Sequence, residues 1–224
     1  MTIIAVTGLA KEAKIVGVAD VVAVAGGGDS DSLAEKLDAL HGDLKAVISI
    51  GLAGALSPHL KVGDVVIADQ IMTGLENWDC HEGWRVRLLS RLSSNVLGAH
   101  QGQIFGSDVI IWKAETKSGL YDTTGALAVD MESQVAARFA AKRNLPLAAL
   151  RVISDDARHV LPPAALVAMK PDGGIALGRV LGSLLKKPTQ VPALVRTARA
   201  SNKAFAELLR CRDLCGVGLA GADL

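Results

Sequence analysis

Short apolar, β-branched runs alternate along the chain with stretches rich in Ala, Leu, Lys and Glu. Ile3–Val6, Val21–Ala25 (VVAVA), Ala46–Ile50 (AVISI), Val65–Met72, Gln103–Phe105 and Ala148–Ile153 (AALRVI) read as strands. Ser32–Leu40, with Leu33, Leu37 and Leu40 on one face, reads as a helix, and so do Met131–Arg143, Ala164–Met169, Gly178–Lys187 and Ala193–Arg210. Strands alternating with helices predict a layered α/β domain on a mostly parallel sheet. The nearly continuous apolar character of the strands predicts that helices cover both faces of that sheet. No internal repeat is visible, and Pro188–Pro192 reads as a break between two helices. The expected organisation is an α/β domain over residues 1–187 with a C-terminal helical extension, 188–224, packed on it.

Composition narrows the picture. The chain has 224 residues, of which half are hydrophobic, which supports a substantial core and excludes a disordered chain. Aromatic residues are only 3%, so aliphatic side chains must fill the core. The net charge of +1 excludes a globally basic nucleic-acid binder. The charge is unevenly placed, however. Between Lys170 and Asp213 nine Lys/Arg face three Asp/Glu, a local net of +6, which leaves about −5 for the rest. Cys80, Cys211 and Cys215 match no zinc or redox spacing and read as small hydrophobes of a reducing cytosol. The first residues carry no basic leader, and no apolar run reaches bilayer-spanning length. The expectation is a cytoplasmic chain, at most peripheral to the inner face of a membrane.

In open α/β sheets, ligands sit beyond the carboxyl ends of strands. Glu12, Gly26–Asp29, Gly51–Gly54, Glu132 and Ser154-Asp155 all fall at such places. Each also has a structural reading. Gly26, Gly27 and Gly28 before Asp29 and Ser30 form either an anion cradle or a plain tight turn. Gly51 and Gly54 either let backbone approach a flat ligand or pack against a helix. Asp130 and Glu132 match the positive end of a helix dipole, and Asp155 or Asp156 is able to cap the segment that follows.

Taken together, these segments resemble one family. Residues 48–69 (ISIGLAGALSPHLKVGDVVIAD), Val129–Ser133 (VDMES), Arg151–Asp155 (RVISD) and Thr7–Glu12 (TGLAKE) resemble, in order and separation, the signatures of the nucleoside phosphorylase and nucleosidase superfamily. The closest likeness is to methylthioadenosine/S-adenosylhomocysteine nucleosidases. Leu161–Ala165, Lys170–Gly174 and the Leu184–Leu209 region resemble the hopanoid-associated phosphorylase-like proteins, which are implicated in converting adenosylhopane to ribosylhopane. The resemblance implies a single three-layer α/β domain with a central mixed, mostly parallel sheet. It also implies cleavage of a purine N-glycosidic bond, no metal or cofactor, and a homo-oligomer.

The residue roles implied by the resemblance are specific. Asp155 is the general acid for purine N7, and such an acid must stay partly protonated near neutral pH, which burial achieves. Ser154 orients it. Glu132 receives the ribose hydroxyls and favours a cationic transition state, Met131 packs on the ribose, and Glu12 activates water. Val109 and Ile110 meet the adenine, and Gly26, Gly27, Gly51, Ala53 and Gly54 belong to the binding surface. Two departures stand out: Ala10 and Lys11 precede Glu12 where the family carries acids, and Asp130 is one methylene shorter than the family's Glu. No catalytic role is carried onto Asp130. The Gly26–Ser32 loop has no Arg, and Glu12 repels phosphate, so hydrolysis is expected over phosphorolysis. His159 reads as a 5′-side contact or a surface residue. Trp78, Trp84 and Trp112 read as a groove for an apolar 5′ group or as core. The basic Leu184–Arg212 stretch reads as a membrane-surface element or a solvated helix face. The expected reaction is therefore hydrolysis of a 5′-substituted adenosine such as adenosylhopane. Its rivals are a purine nucleoside phosphorylase, a methylthioadenosine/S-adenosylhomocysteine nucleosidase and a non-catalytic nucleoside-binding subunit.

Overall fold

The computed structural model describes residues 2–93, 98–166, 173–174, 176–221 and 224. Eight strands form one mixed sheet: β1 (Thr2–Thr7), β2 (Val21–Ala25), β3 (Leu44–Ala55), β4 (Val65–Met72), β5 (Asn77–Asp79), β6 (Ala99–Gly106), β7 (Ala128–Asp130) and β8 (Leu147–Asp155). One path runs β2-β1-β3-β7-β6-β4-β5, and β8 pairs with both β3 and β4. The pairings β3–β7–β6–β4–β8–β3 thus close into a ring, with β2 and β1 extending one side and β5 the other. The β1–β2, β1–β3, β3–β8, β4–β6 and β6–β7 pairs are parallel. The β3–β7, β4–β5 and β4–β8 pairs are antiparallel.

Helices cover both faces. On one, α2 (Ser30–Asp38) contributes Leu33 and Leu37, and α5 (Ser133–Lys142) contributes Val135, Ala136, Phe139 and Ala140, packed on Ile4, Val6, Val47 and Ile153. On the other, α1 (Ala10–Val16), α3 (Glu82–Ser93) and α8 (Val191–Cys215) bury Val16, Trp84, Leu88, Leu208 and Cys215 against Ile3, Ile48, Ile67 and Leu150. The C-terminal helix α8 is therefore part of the second core layer. All three cysteines are free and buried, and burial pushes each thiol up to about 12, which leaves them inert packing groups. Trp84 is core: it is fully buried and its indole N–H donates to the Leu219 carbonyl at 2.8 Å.

The structure corrects several expected boundaries. The segment Gly51–Gly54, expected beyond the third strand, lies inside β3, which runs on to Ala55 because Gly51–Gly54 pair with β8 and Gly54 and Ala55 with β7. The helix expected from Met131 starts at Ser133, since the Asp130 carboxylate accepts from the Glu132 and Ser133 N–H groups and holds the chain outside the helix up to that point. The expected Ser32–Leu40 helix is shifted to Ser30–Asp38, where Asp29 caps it by accepting from Ser32 N at 3.0 Å. Helix α8 is longer than expected at both ends. Of the expected Ala164–Met169 helix, α6 (Pro163–Leu166) is seen and the remainder lies outside the described residues. Gly178–Lys187 falls in α7 (Leu177–Lys186). Helices α1, α3 and α4 (Ala114–Thr124) and strands β5 and β7 were not expected.

Candidate active site

The middle of the site is the end of β3. Gly54 lies opposite Asp155 of β8 on one side and opposite Val129 of β7 on the other. β7 leads directly through Asp130 to Met131 and Glu132, and α1, which follows β1, brings Glu12 up beside Leu52. A cavity of about 610 Å³ opens here. Glu12, Ala53, Gly54, Val109, Ile110, Met131, Glu132, Ser154 and Asp155, all predicted from sequence, line it together. Gly26, Gly27 and Gly51 are not among the residues that line it.

Three glycines explain how so many carboxyls fit. A Cβ on Gly8 would lie 2.8 Å from Glu132 Oε1. One on Gly51 would lie 2.8 Å from Arg151 Nη1 and 2.9 Å from Glu12 Cδ, and one on Gly54 3.1 Å from Asp155 Oδ2. At Gly51 it is the protein's own charged side chains that come this close. Gly26 stands 3.4 Å, by the same measure, from Glu132 Cγ.

Glu12 is buried, and both its oxygens are held by backbone. Oε2 accepts from Gly8 N at 2.8 Å and Leu9 N at 2.7 Å, and Oε1 accepts from Leu52 N at 2.8 Å. Burial pushes its carboxyl above the usual range, against the pull of Arg151 and of these three N–H groups. Glu132 is pushed up to about 8, chiefly by burial; Arg151 opposes this, while the charges of Asp130 and Glu12 add to it. Arg151 is fully buried. Its Nη2 donates to Ser49 Oγ at 2.5 Å and lies 3.8 Å from Glu132 Oε2. Its Nε lies 2.5 Å from Asp130 Oδ2, a contact of charges whose N–H is not aligned as a hydrogen bond. Asp130 also accepts from Ser133 Oγ, which in turn bonds Ser49 Oγ at 3.0 Å. Asp130 therefore positions Arg151 and the start of α5.

On the far side, Ser154 Oγ donates to Asp155 Oδ1 at 3.0 Å. Asp155 Oδ2 is ion-paired with the Nζ of Lys117, a fully buried residue of α4 that sequence reasoning missed. Asp156, the other capping candidate, accepts from Arg158 N at 2.9 Å and shapes the turn after β8.

The remaining candidates fall elsewhere. The N–H groups of Gly26 and Gly27 donate to the carbonyls of Thr7 and Gly8, each at 2.8 Å, and the Asp29 carboxylate already occupies the start of α2. The anion-cradle reading of this loop is thus displaced by a turn with a resident anion. Gly27 and Gly28, with φ of 72° and 75°, supply the left-handed backbone that the turn requires. The cavity beside Gly28 and Asp29 is a second one of about 630 Å³, lined also by Asp31, Asp38 and Asp108. His159 bonds Thr197 Oγ1 of α8 at 3.1 Å and ties its loop to that helix. Trp78 and Trp112 stand outside the cleft, under the cations Arg138 and Lys113. Among the described residues no group of three or more potential metal ligands is found.

Residues 6–185 match the profile of the Phosphorylase superfamily. The chain belongs to that family. Solved structures with the same fold include a 5′-methylthioadenosine/S-adenosylhomocysteine nucleosidase from S. pneumoniae, 22% identical, covering 93% of this chain and 100% of that one at a TM-score of 0.63. A putative methylthioadenosine nucleosidase from Weissella paramesenteroides is 19% identical, with 95% and 99% covered and a TM-score of 0.65. A futalosine hydrolase mutant from Helicobacter pylori is 17% identical, with 69% and 90% covered and a TM-score of 0.59. The superfamily match ends at residue 185, so α8, which completes the core of this member, lies beyond it.

Proposed function

We propose that this phosphorylase-superfamily member hydrolyses the N-glycosidic bond of a 5′-substituted adenosine and releases adenine. The observation that carries the reading is the charge of the cleft. Four carboxyl-bearing residues, Glu12, Asp130, Glu132 and Asp155, line it, and among the described residues the one cation in its lining is Lys11, stacked 3.9 Å from the Phe205 ring. Such a wall offers a phosphate little beyond Lys11 to bind, and its carboxyls, as they ionise, favour a ribosyl cation and a water nucleophile. Asp155, steadied by Ser154, delivers the proton to N7 of the leaving base. Glu132 accepts from the ribose hydroxyls, and the cation developing on the sugar favours its ionised form. Glu12, held by three backbone N–H groups, takes the proton of the attacking water; its raised affinity for protons makes it the stronger base. That a nucleosidase and a futalosine hydrolase share this fold supports the same chemistry.

The far half of the cleft is apolar. Leu161, Ala165, Leu166, Val180, Leu194 and Phe205 line it. This supports a large apolar 5′ group, and adenosylhopane is the substrate that the sequence resemblance points to. Helix α7 beside it exposes Leu181 and Leu185 next to Lys186 and Lys187, which supports contact with an anionic membrane surface. No described helix is long and apolar enough to cross a membrane.

The test is adenine release from adenosylhopane and from methylthioadenosine, with and without phosphate, by the wild-type chain and Asp155→Asn. The reading requires phosphate-independent release that falls by about 10²–10⁴-fold in the variant. Strict phosphate dependence would make the protein a phosphorylase, and release from methylthioadenosine alone would remove the lipid substrate. Liposome co-sedimentation at low salt tests the membrane contact, and no binding there removes it.

A further inference from the structure

Helix α4 has the sequence AETKSGLYDTT, and its one buried side chain is Lys117. A helix that turns a lysine inward needs a reason, because an ammonium taken out of water without partners is costly. Lys117 has three donors and finds three acceptors: Asp155 Oδ2, the Asp156 carbonyl at 3.1 Å and the His159 carbonyl at 3.4 Å. All three belong to the end of β8 and the turn after it. Lys117 does not line the cleft, whereas Asp155 does. The ammonium therefore meets the carboxyl from behind and touches the substrate only through it.

We propose, resting on the nucleosidase reading above, that the proton given to the leaving base originates on Lys117 and that the proton-donating unit is the Lys117–Asp155 pair. A carboxyl in contact with an ammonium rests as a carboxylate, with the exchangeable proton on Nζ. As the C1′–N9 bond breaks, its electron pair passes to the purine. A proton moves from Nζ to the Asp155 carboxyl, and the carboxyl delivers a proton to the base nitrogen. Water attacks C1′ and gives a proton to Glu12. Turnover leaves a neutral amine at Lys117 and a carboxylic acid at Glu12. Glu12 releases its proton to solvent and Lys117 takes one up, so the sum is nucleoside plus water to ribosyl product plus adenine. Lys117 is a positioning and relay residue, since it acts only through Asp155.

The relay differs from simple charge support in a way that two substitutions separate. Lys117→Met removes the proton and the charge together, leaving a buried carboxyl able to hold its own proton in acid. Lys117→Arg keeps the charge on Asp155 but does not surrender a proton. Base release is measured from about pH 5 to about pH 10. The substrates are a 5′-substituted adenosine and the matching 4-nitrophenyl riboside, whose leaving group departs without protonation. On the adenosine at about pH 8 both variants fall by about 10²-fold or more. Near pH 5 to 6 Lys117→Met recovers to within about tenfold of wild type as its descending limb moves toward the carboxyl range, and Lys117→Arg does not. On the nitrophenyl riboside both stay within a few-fold of wild type, which also shows that they fold. Wild-type rates for Lys117→Arg on the adenosine overturn the relay, as do equal losses on both substrates. If wild type acts on the riboside but releases no adenine, or acts on neither, the nucleosidase reading falls and the relay with it.

Discussion

On the β8 side of the cleft one carboxyl, Asp155, meets one ammonium, Lys117; on the β1 and β7 side three carboxyls, those of Glu12, Asp130 and Glu132, share the guanidinium of Arg151. The first arrangement sets one acid against one cation. The second has more carboxyls than cation, and burial plus mutual repulsion drive Glu132 up to about 8. The contrast matches what each side does in the proposed reaction. The leaving-base side has to supply a proton. The ribose side has to welcome a positive charge, and a site with surplus acid accepts it while shedding a proton. Charge balance, more than residue identity, divides the labour between chemically similar carboxyls.

The most direct way to break this comparison is to remove each cation. Arg151→Met leaves three buried acids without their counter-charge and costs about 3–5 kcal/mol near neutral pH. That cost shrinks in acid as Glu12 and Glu132 take up protons. Lys117→Met leaves one acid that borders the cleft and can draw on water, and costs about 1–3 kcal/mol. Urea unfolding at about pH 5 and about pH 7.5 measures both. Equal costs with equal pH dependence would mean that the two sides are electrostatically alike.

The surplus charge should also be visible as a variant that gains stability. Glu132 is raised from 4.5 to about 8 in the folded state, so between these values the native state binds more protons than the unfolded chain. Its contribution to stability therefore falls as pH rises from about 4.5 to about 8 and is flat beyond. Glu132→Gln removes the dependence. The variant should match wild type near pH 4.5 and exceed it by an amount that grows to about 4 kcal/mol at pH 8. Melting temperatures across that range test this, and a gain that does not grow with pH refutes the assignment. The same acid sets an ascending limb in kcat/KM for wild type, which reports the free enzyme and disappears with the glutamine.

Close packing of the two sides differs too. Gly51→Ala presses a methyl between Arg151 Nη1 and Glu12 Cδ, both clamped in the buried network, and should cost about 1–3 kcal/mol. Gly54→Ala meets the Asp155 carboxyl, with Oδ2 nearest at 3.1 Å, beside the open cleft. It should cost less stability but tilt the acid, so activity falls while the melting temperature changes little. Activity and melting measured on both variants would expose the reverse order.

The layered fold, most strands and nine lining residues of the cleft were legible, because apolar runs and acids at strand ends leave local marks. What was not legible was the support behind the acids. Arg151 carries a signal, since a charged residue inside the apolar run LAALRVI must be paired once the strand is buried on both faces. Its partners Ser49 on β3 and Asp130 and Ser133 at the β7–α5 junction come from two other places in the chain and meet only through the ring of strands. Lys117 carries a weaker one. AETKSGLYDTT has no apolar stripe, so the usual periodicity that marks a buried face is missing, and the lysine looks solvated. Gly26–Ser30 shows the converse. Its glycines are real turn residues, but the nearby Asp29 fills the helix start that made the loop look like an anion site.

The smallest expected effect concerns Lys11, which sits at the mouth between the two sides. Its Nζ lies over the Phe205 ring at 3.9 Å and its side chain is exposed, so the contact is worth about 0.5–1 kcal/mol and Lys11→Met should barely move the melting temperature. Its value lies in what else it leaves unchanged. If the wall is built for a cationic transition state and water, removing its described cation makes the cleft more negative and leaves phosphate-free base release intact or slightly faster. A phosphate-dependent enzyme would lose affinity for the anion instead, raising the KM for phosphate. Initial rates at several phosphate concentrations separate the two. A loss that phosphate reverses would show that the surplus of acid on the ribose side is compensated by an anion, and the contrast between the two sides would have to be redrawn around that ion.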